Sequence, residues 1–253
     1  MIQSTNKMIR LNRIFGVDGK TVVVAMDHGS AGMAPLGALQ DPTQLVPILI
    51  DNGANAILTT PGIARLCAHQ LGRVGLILRI DGGPSAQTGE WERIKVVLTV
   101  EDALRLGADA VIMMGIVGAP GETETLANLW RVAAECHAWG VPLIAEMLPG
   151  GFTAKEITVD QIAVAARLGA ELGADVIKIR YQGPAENYRK VIDACYRPVI
   201  ILGGSKQPVE MLAKEAREAL SAGAAGVAIG RNVWQDSDPG RVTRMLKETV
   251  HAL

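Results

Sequence analysis

Residues Gly173–Arg180 read Gly-Ala-Asp-Val-Ile-Lys-Ile-Arg, a Gly-Ala pair that ends one element and an apolar run that begins another. Glycine suits the left-handed residue that closes a helix, and the run that follows reads as a buried strand. The phrase recurs: Gly53-Ala54 precedes 55–59, Gly107-Ala108 precedes 109–114, and Gly223-Ala224 precedes 225–229. Four more apolar runs alternate with these, at 21–26, 75–80, 141–147 and 198–202. Helical-period segments fill the gaps, for example 125–139, 158–172 and 207–221. Eight strands alternating with helices in 253 residues predict an α/β fold, a single (β/α)8 TIM barrel. An open doubly wound sheet is the competitor, but no GxGxxG opens a helix after the first strand. The whole of 1–253 is expected to form one domain, with 1–15 an N-terminal arm between subunits.

Composition removes several function classes. The chain is 49% hydrophobic and 20% charged, enough apolar surface for a large core and too much for disorder. A net charge of −1 announces neither nucleic acid nor a membrane surface as partner. Four Trp, three Tyr and two Phe are few for a base-stacking surface. Cys67, Cys136 and Cys195 are scattered, with no CxxC, which suits a reducing, cytoplasmic setting. No apolar run approaches the roughly 18–20 residues of a membrane-spanning helix. The four histidines are dispersed without HxH or HExxH spacing, so neither a metal nor another cofactor is expected. A GxSxG elbow is absent too.

In such a barrel the chemistry sits at the carboxyl ends of the strands, so polar residues there carry the reading. The first strand ends in Met26-Asp27-His28-Gly29, an acid and an imidazole placed for a mouth rather than for packing. The bland alternative makes Asp27 a cap and His28 an ordinary loop residue. Lys178 interrupts the sixth run, and alternation puts Ala174, Val176, Lys178 and Arg180 on one face. If that face is the barrel interior, desolvation and the neighbouring Arg180 both lower the proton affinity of Lys178. A neutral amine is what attack on a carbonyl requires; facing outward, Lys178 would merely snorkel. Runs seven and eight end in Gly203-Gly204-Ser205-Lys206 and Gly230-Arg231-Asn232, glycine turns followed by cations, suited to an anion. Glu146, near the end of the fifth run, reads as a general acid or as an ion-pair partner of Arg180 or another cation. Arg79–Ser85, after the third run, is a polar loop suited to a pocket wall.

Together, Met26-Asp27-His28-Gly29, Ile177-Lys178-Ile179, Gly203-Gly204-Ser205-Lys206 and Gly230–Gln235 resemble the DhnA-type class I aldolase family. That family includes archaeal-type fructose-bisphosphate aldolase, amino-dideoxyheptulosonate synthase and the phospho-autoinducer-2 thiolase. The resemblance runs over essentially the whole chain. It implies a Schiff-base lysine at Lys178, a helper acid at Asp27, and substrate phosphate at Gly203, Gly204, Ser205, Gly230 and Arg231. His28 and Arg180 are the expected further substrate contacts, and assembly into a homo-oligomer, commonly a decamer, is implied. One departure stands out: the family's Tyr-Pro-Arg-Gly phrase is here Leu148-Pro149-Gly150-Gly151, without the proton-moving tyrosine. Glu146 is the expected replacement, with Asp27 its rival. The leading reading is a lyase acting on a C–C bond of a phosphorylated keto sugar. A thiolase or transaldolase-type transferase, told apart by product analysis with coenzyme A, and a silent ligand-binding barrel are the alternatives.

Overall fold

The computed structural model describes residues 5–90 and 92–252. Eight parallel strands close into a barrel in sequence order: β1 (Thr21–Ala25), β2 (Ala56–Thr59), β3 (Gly75–Arg79), β4 (Ala110–Val117), β5 (Leu143–Pro149), β6 (Val176–Arg180), β7 (Val199–Leu202) and β8 (Gly226–Ile229). All eight runs read from the sequence are strands. The order excludes the open doubly wound sheet, whose strands do not close.

Alternation sorts each strand into an inner and an outer face. Val23, Ala25, Leu58, Ile77, Ile112, Ile144 and Val176 belong to an inner cluster, where small residues such as Ala56, Ala110 and Ala228 are interleaved with branched ones. Val22, Val24, Ile57, Leu78 and Ile177 face outward into the larger core beneath the helices. Around the barrel run α2 (Pro42–Asp51), α3 (Pro61–Leu66), α4 (Ala68–Leu71), α5 (Val100–Arg105), α6 (Glu122–Trp139), α7 (Val159–Glu171), α8 (Ala185–Ala194), α9 (Val209–Ala222), α10 (Arg231–Trp234) and α11 (Pro239–His251). Thr99 and Thr158 start α5 and α7 with capping boxes, each side chain accepting from the third helical N–H.

The repeated Gly-Ala phrase has a second half that explains its period. Asn55, Asp109 and Asp175 follow it at the entrance to β2, β4 and β6, and their carboxyl or amide oxygens accept the N–H of Val22, Leu76 and Leu143. Each thereby ties the start of its own strand to the start of the strand before it. Ala225 occupies the fourth such place and has no side chain for the task.

The described part of the N-terminal arm is α1 (Thr5–Ile14), which lies against the barrel's own floor. Ile14 joins the inner cluster, Lys7 reaches both oxygens of Asp175 at 3.0 and 2.7 Å, and Arg13 lies 3.2 Å from Asp109. Residues 1–4 of that arm lie outside the described residues. With the floor sealed, the open end is the carboxyl end of the strands.

Candidate active site

A cavity of about 470 Å³ opens at that end, lined by residues of seven of the eight strands, by Thr60 and Pro61 just after β2, and by neighbouring loops. Lys178 and Glu146 stand side by side in the ladder between β5 and β6. Because Val176 belongs to the inner cluster, alternation carries Lys178 inward as well. Its Nζ lies 2.7 Å from Glu146 Oε1, and only 4% of the residue is exposed. The expected inward placement of Lys178 therefore holds, but its neighbour is different. Arg180, one alternation further on, is exposed and does not line the cavity. It ends β6 at the rim, where solvent is available and a second cation beside Lys178 would only be repelled. Arg180 is thus corrected from a substrate contact to a surface residue, with its carbonyl accepting from the Tyr188 hydroxyl at 3.3 Å.

The cation that does meet the site is Arg79, from the end of β3. Its Nε donates to Asp27 Oδ2 at 2.5 Å and its Nη1 to Asp81 Oδ1 at 3.0 Å, while Nη2 makes a short bond to Glu146 Oε2. Five buried charges thus form one chain of contacts, Asp81–Arg79–Asp27 and Arg79–Glu146–Lys178. Arg79 and Asp81 were read only as a pocket wall; their role depends on partners 52 and 67 residues from Arg79.

These contacts decide the protonation states. Burial alone would raise Glu146, but Lys178 and Arg79 hold its carboxyl below the usual range. The two cations outweigh burial, so the resting group is a carboxylate, able to accept a proton. Asp27 is likewise pushed up by burial and pulled far down by Arg79, with His28 and Lys178 adding to the pull. It is therefore held ionised at rest. Asp81 goes the other way, raised by burial although Arg79 and the Met114 N–H favour its charge.

On the opposite rim, the turns after β7 and β8 are built from backbone. Gly204 has a φ of +60°, a conformation that favours glycine, and a Cβ at Gly230 would lie 2.6 Å from His28 Cε1 and 2.9 Å from the Ala25 oxygen. Buried Asn232 ties the turns together, donating to the carbonyls of Gly203 at 2.8 Å and Ser205 at 3.0 Å and accepting the Gln207 N–H at 2.8 Å. Trp234 donates its indole N–H to the Ala25 carbonyl at 2.9 Å, closing β8 onto β1. Gly203, Gly204, Gly230 and Arg231 line the cavity; Ser205 is exposed and does not. Lys206 is turned to Asp236 and the Asn232 carbonyl, both at 3.3 Å, and also lies off the cavity. Arg231 donates to the Gly204 carbonyl at 2.9 Å. His28 lines the cavity edge-on to Trp234, its Nδ1 3.4 Å from Asp27. Asn232 and Trp234 were legible only as part of a motif, because their work is to hold other residues' backbones.

Leu148, in the place of the family's tyrosine, does line the cavity. The three tyrosines lie elsewhere: Tyr181 donates to Glu218, Tyr188 to Arg180 and Tyr196 to Ala170. Glu146 is the carboxylate in contact with Lys178, and Asp27 is engaged by Arg79.

A family model described as DeoC/LacD family aldolase matches residues 21–236. The 2-amino-3,7-dideoxy-D-threo-hept-6-ulosonate synthase of Halobacterium salinarum is 36% identical over 97% of this chain and 91% of its own. The class 1 fructose-bisphosphate aldolase of Thermoproteus tenax is 32% identical over 99% of this chain and 96% of its own. A solved Schiff-base-forming fructose-1,6-bisphosphate aldolase superposes with a TM-score of 0.87 at 31% identity, covering 97% of this chain and all of that one.

Proposed function

The chain belongs to the DeoC/LacD family of aldolases, and from that membership we propose a class I aldolase that works on a phosphorylated keto substrate through a Schiff base at Lys178. The observation that carries the assignment is Lys178 itself, a buried amine facing a cavity with a carboxylate 2.7 Å from its Nζ. Glu146 takes the ammonium proton, and the freed amine adds to the ketone carbon to give a carbinolamine. As Lys178 loses its charge, one of the two cations holding Glu146 down is gone, so the carboxyl retains the proton. That proton then leaves with the carbinolamine oxygen as water, giving the iminium. In cleavage the hydroxyl on the far carbon gives its proton to the regenerated Glu146 carboxylate and becomes an aldehyde, while the electrons of the breaking C–C bond flow into the iminium to form an enamine. In synthesis the enamine carbon attacks an aldehyde and water releases the product.

Arg231 and the amides of the glycine turns suit the substrate phosphate, and Asp27 with His28 suits the polar atoms next to the carbonyl. Assembly into a homo-oligomer belongs to the same reading, supported by Trp130 and Trp139 left exposed on α6 and checked by light scattering. The test of the core assignment is borohydride trapping with dihydroxyacetone phosphate, read by intact mass. The expected result is one adduct that maps to Lys178 and disappears in Lys178→Ala. An adduct that persists and maps to Lys206 or Lys95 sinks the assignment.

A further inference from the structure

The two rims of the cavity are chemically unlike. In a closed barrel of eight strands, the loops after β3 to β5 face the turns after β7 and β8 across the mouth. Three arginine and lysine side chains line the cavity among the described residues, Arg79, Lys178 and Arg231. The first is engaged by Asp27, Asp81 and Glu146 and the second by Glu146, so their charge is already balanced. Arg231 bonds a carbonyl, and its Nε is buried without a hydrogen-bond partner. The site therefore offers one strong anchor for a dianion, at the β7 and β8 rim.

Beyond the charged cluster of Arg79, Asp81 and Glu146, the facing wall presents apolar side chains: Met114, Ile94, Val97, Leu98, Leu148 and Phe152. Val97 is 65% exposed, so part of this apolar wall reaches the mouth. The cations on that loop do not serve the cavity. Arg93 turns to Glu90 at 3.3 Å, and Lys95 is exposed and off the lining. Hydroxyls seated against these six apolar side chains would find no polar side chain among them to replace water, and a second phosphate would find no cation among them.

We infer that the cavity takes a two-ended substrate, with a single phosphate at Gly204, Gly230 and Arg231 and an apolar chain against the wall of Leu98, Leu148 and Phe152. The inference rests on the aldolase reading for the bond between the two ends. It narrows the substrate to a phosphorylated ketone joined to an apolar aldehyde, rather than a polyol chain or a bisphosphate.

The test needs no chemistry at Lys178. Calorimetric titration of the intact protein with methyl, butyl and hexyl phosphate is expected to show affinity rising by up to about fourfold per methylene. Hexane-1,6-diyl bisphosphate is expected to bind at least tenfold more weakly than hexyl phosphate, roughly the loss from burying an unpaired polar group. A flat series, or a bisphosphate that binds as well as hexyl phosphate, overturns the inference. Val97→Arg, at a position exposed enough not to burden folding, is expected to shift the preference toward the bisphosphate by about tenfold. No shift places the tail elsewhere and also overturns it. Trapping with dihydroxyacetone phosphate reports separately. A rising series without an adduct removes the Schiff base and keeps the two-ended site, and an adduct with a flat series does the reverse.

Discussion

Two buried lysine–carboxylate pairs involve β6, three residues apart in the chain and at opposite ends of the barrel. Asp175, at its entrance, takes Lys7 at 2.7 Å, and Lys178, near its exit, reaches Glu146 at the same distance. Both pairs are nearly inaccessible, yet they are not equivalent. Asp175 also accepts the Leu143 N–H and seals α1 to the floor, so its contacts are closed. Glu146 and Lys178 face a cavity of about 470 Å³, and Glu146 is shared with Arg79. A buried ion pair is thus sealed or open to a ligand according to what lies beside it, not according to its own geometry.

Substitutions can break that contrast. Lys178→Met is expected to abolish turnover and the borohydride adduct while leaving a folded protein, because Glu146 keeps Arg79 as partner. Glu146→Gln is expected to lower turnover by about 100- to 10,000-fold, the usual worth of a positioned acid–base group, and to flatten one limb of the pH–rate profile. Near-full turnover there, with a loss in Asp27→Asn, would route the proton through Asp27 instead.

On the floor, Lys7→Met strands Asp175 and is expected to cost about 3–5 kcal/mol in denaturant unfolding with little change in kcat. A large kcat loss without destabilisation would erase the distinction between the two pairs. Arg231→Ala removes a charge-assisted contact and is expected to weaken phosphorylated ligands by roughly tenfold to a hundredfold, with little effect on dephosphorylated analogues. Equal losses for both would make Arg231 structural.

The finest effect concerns pH. Asp27 and Glu146 have lowered folded values, so the stability they contribute is present above the ordinary carboxylate range and is lost as pH falls through those values. Arg79→Gln takes away a cation common to both, and both groups rise. Acid unfolding and the acid limb of activity are then expected to begin at higher pH. An unmoved limb would mean that Arg79 only fills space.

What the sequence determines by itself is everything encoded within a few residues. Strand runs, helix periods and the Gly-Ala phrase give the barrel, and a lysine inside an apolar run marks its own importance because burying that charge is costly. The end of the barrel that carries chemistry follows from chain direction. Tertiary structure alone decides which charges meet. Arg180 shares a strand face with Lys178 yet reaches solvent, while Arg79 joins Asp27 and Glu146 from 52 and 67 residues away. The charge state of Glu146 depends on that meeting, since desolvation raises it and two convergent cations lower it. Such a balance is set by distances across the barrel, which local periodicity does not encode.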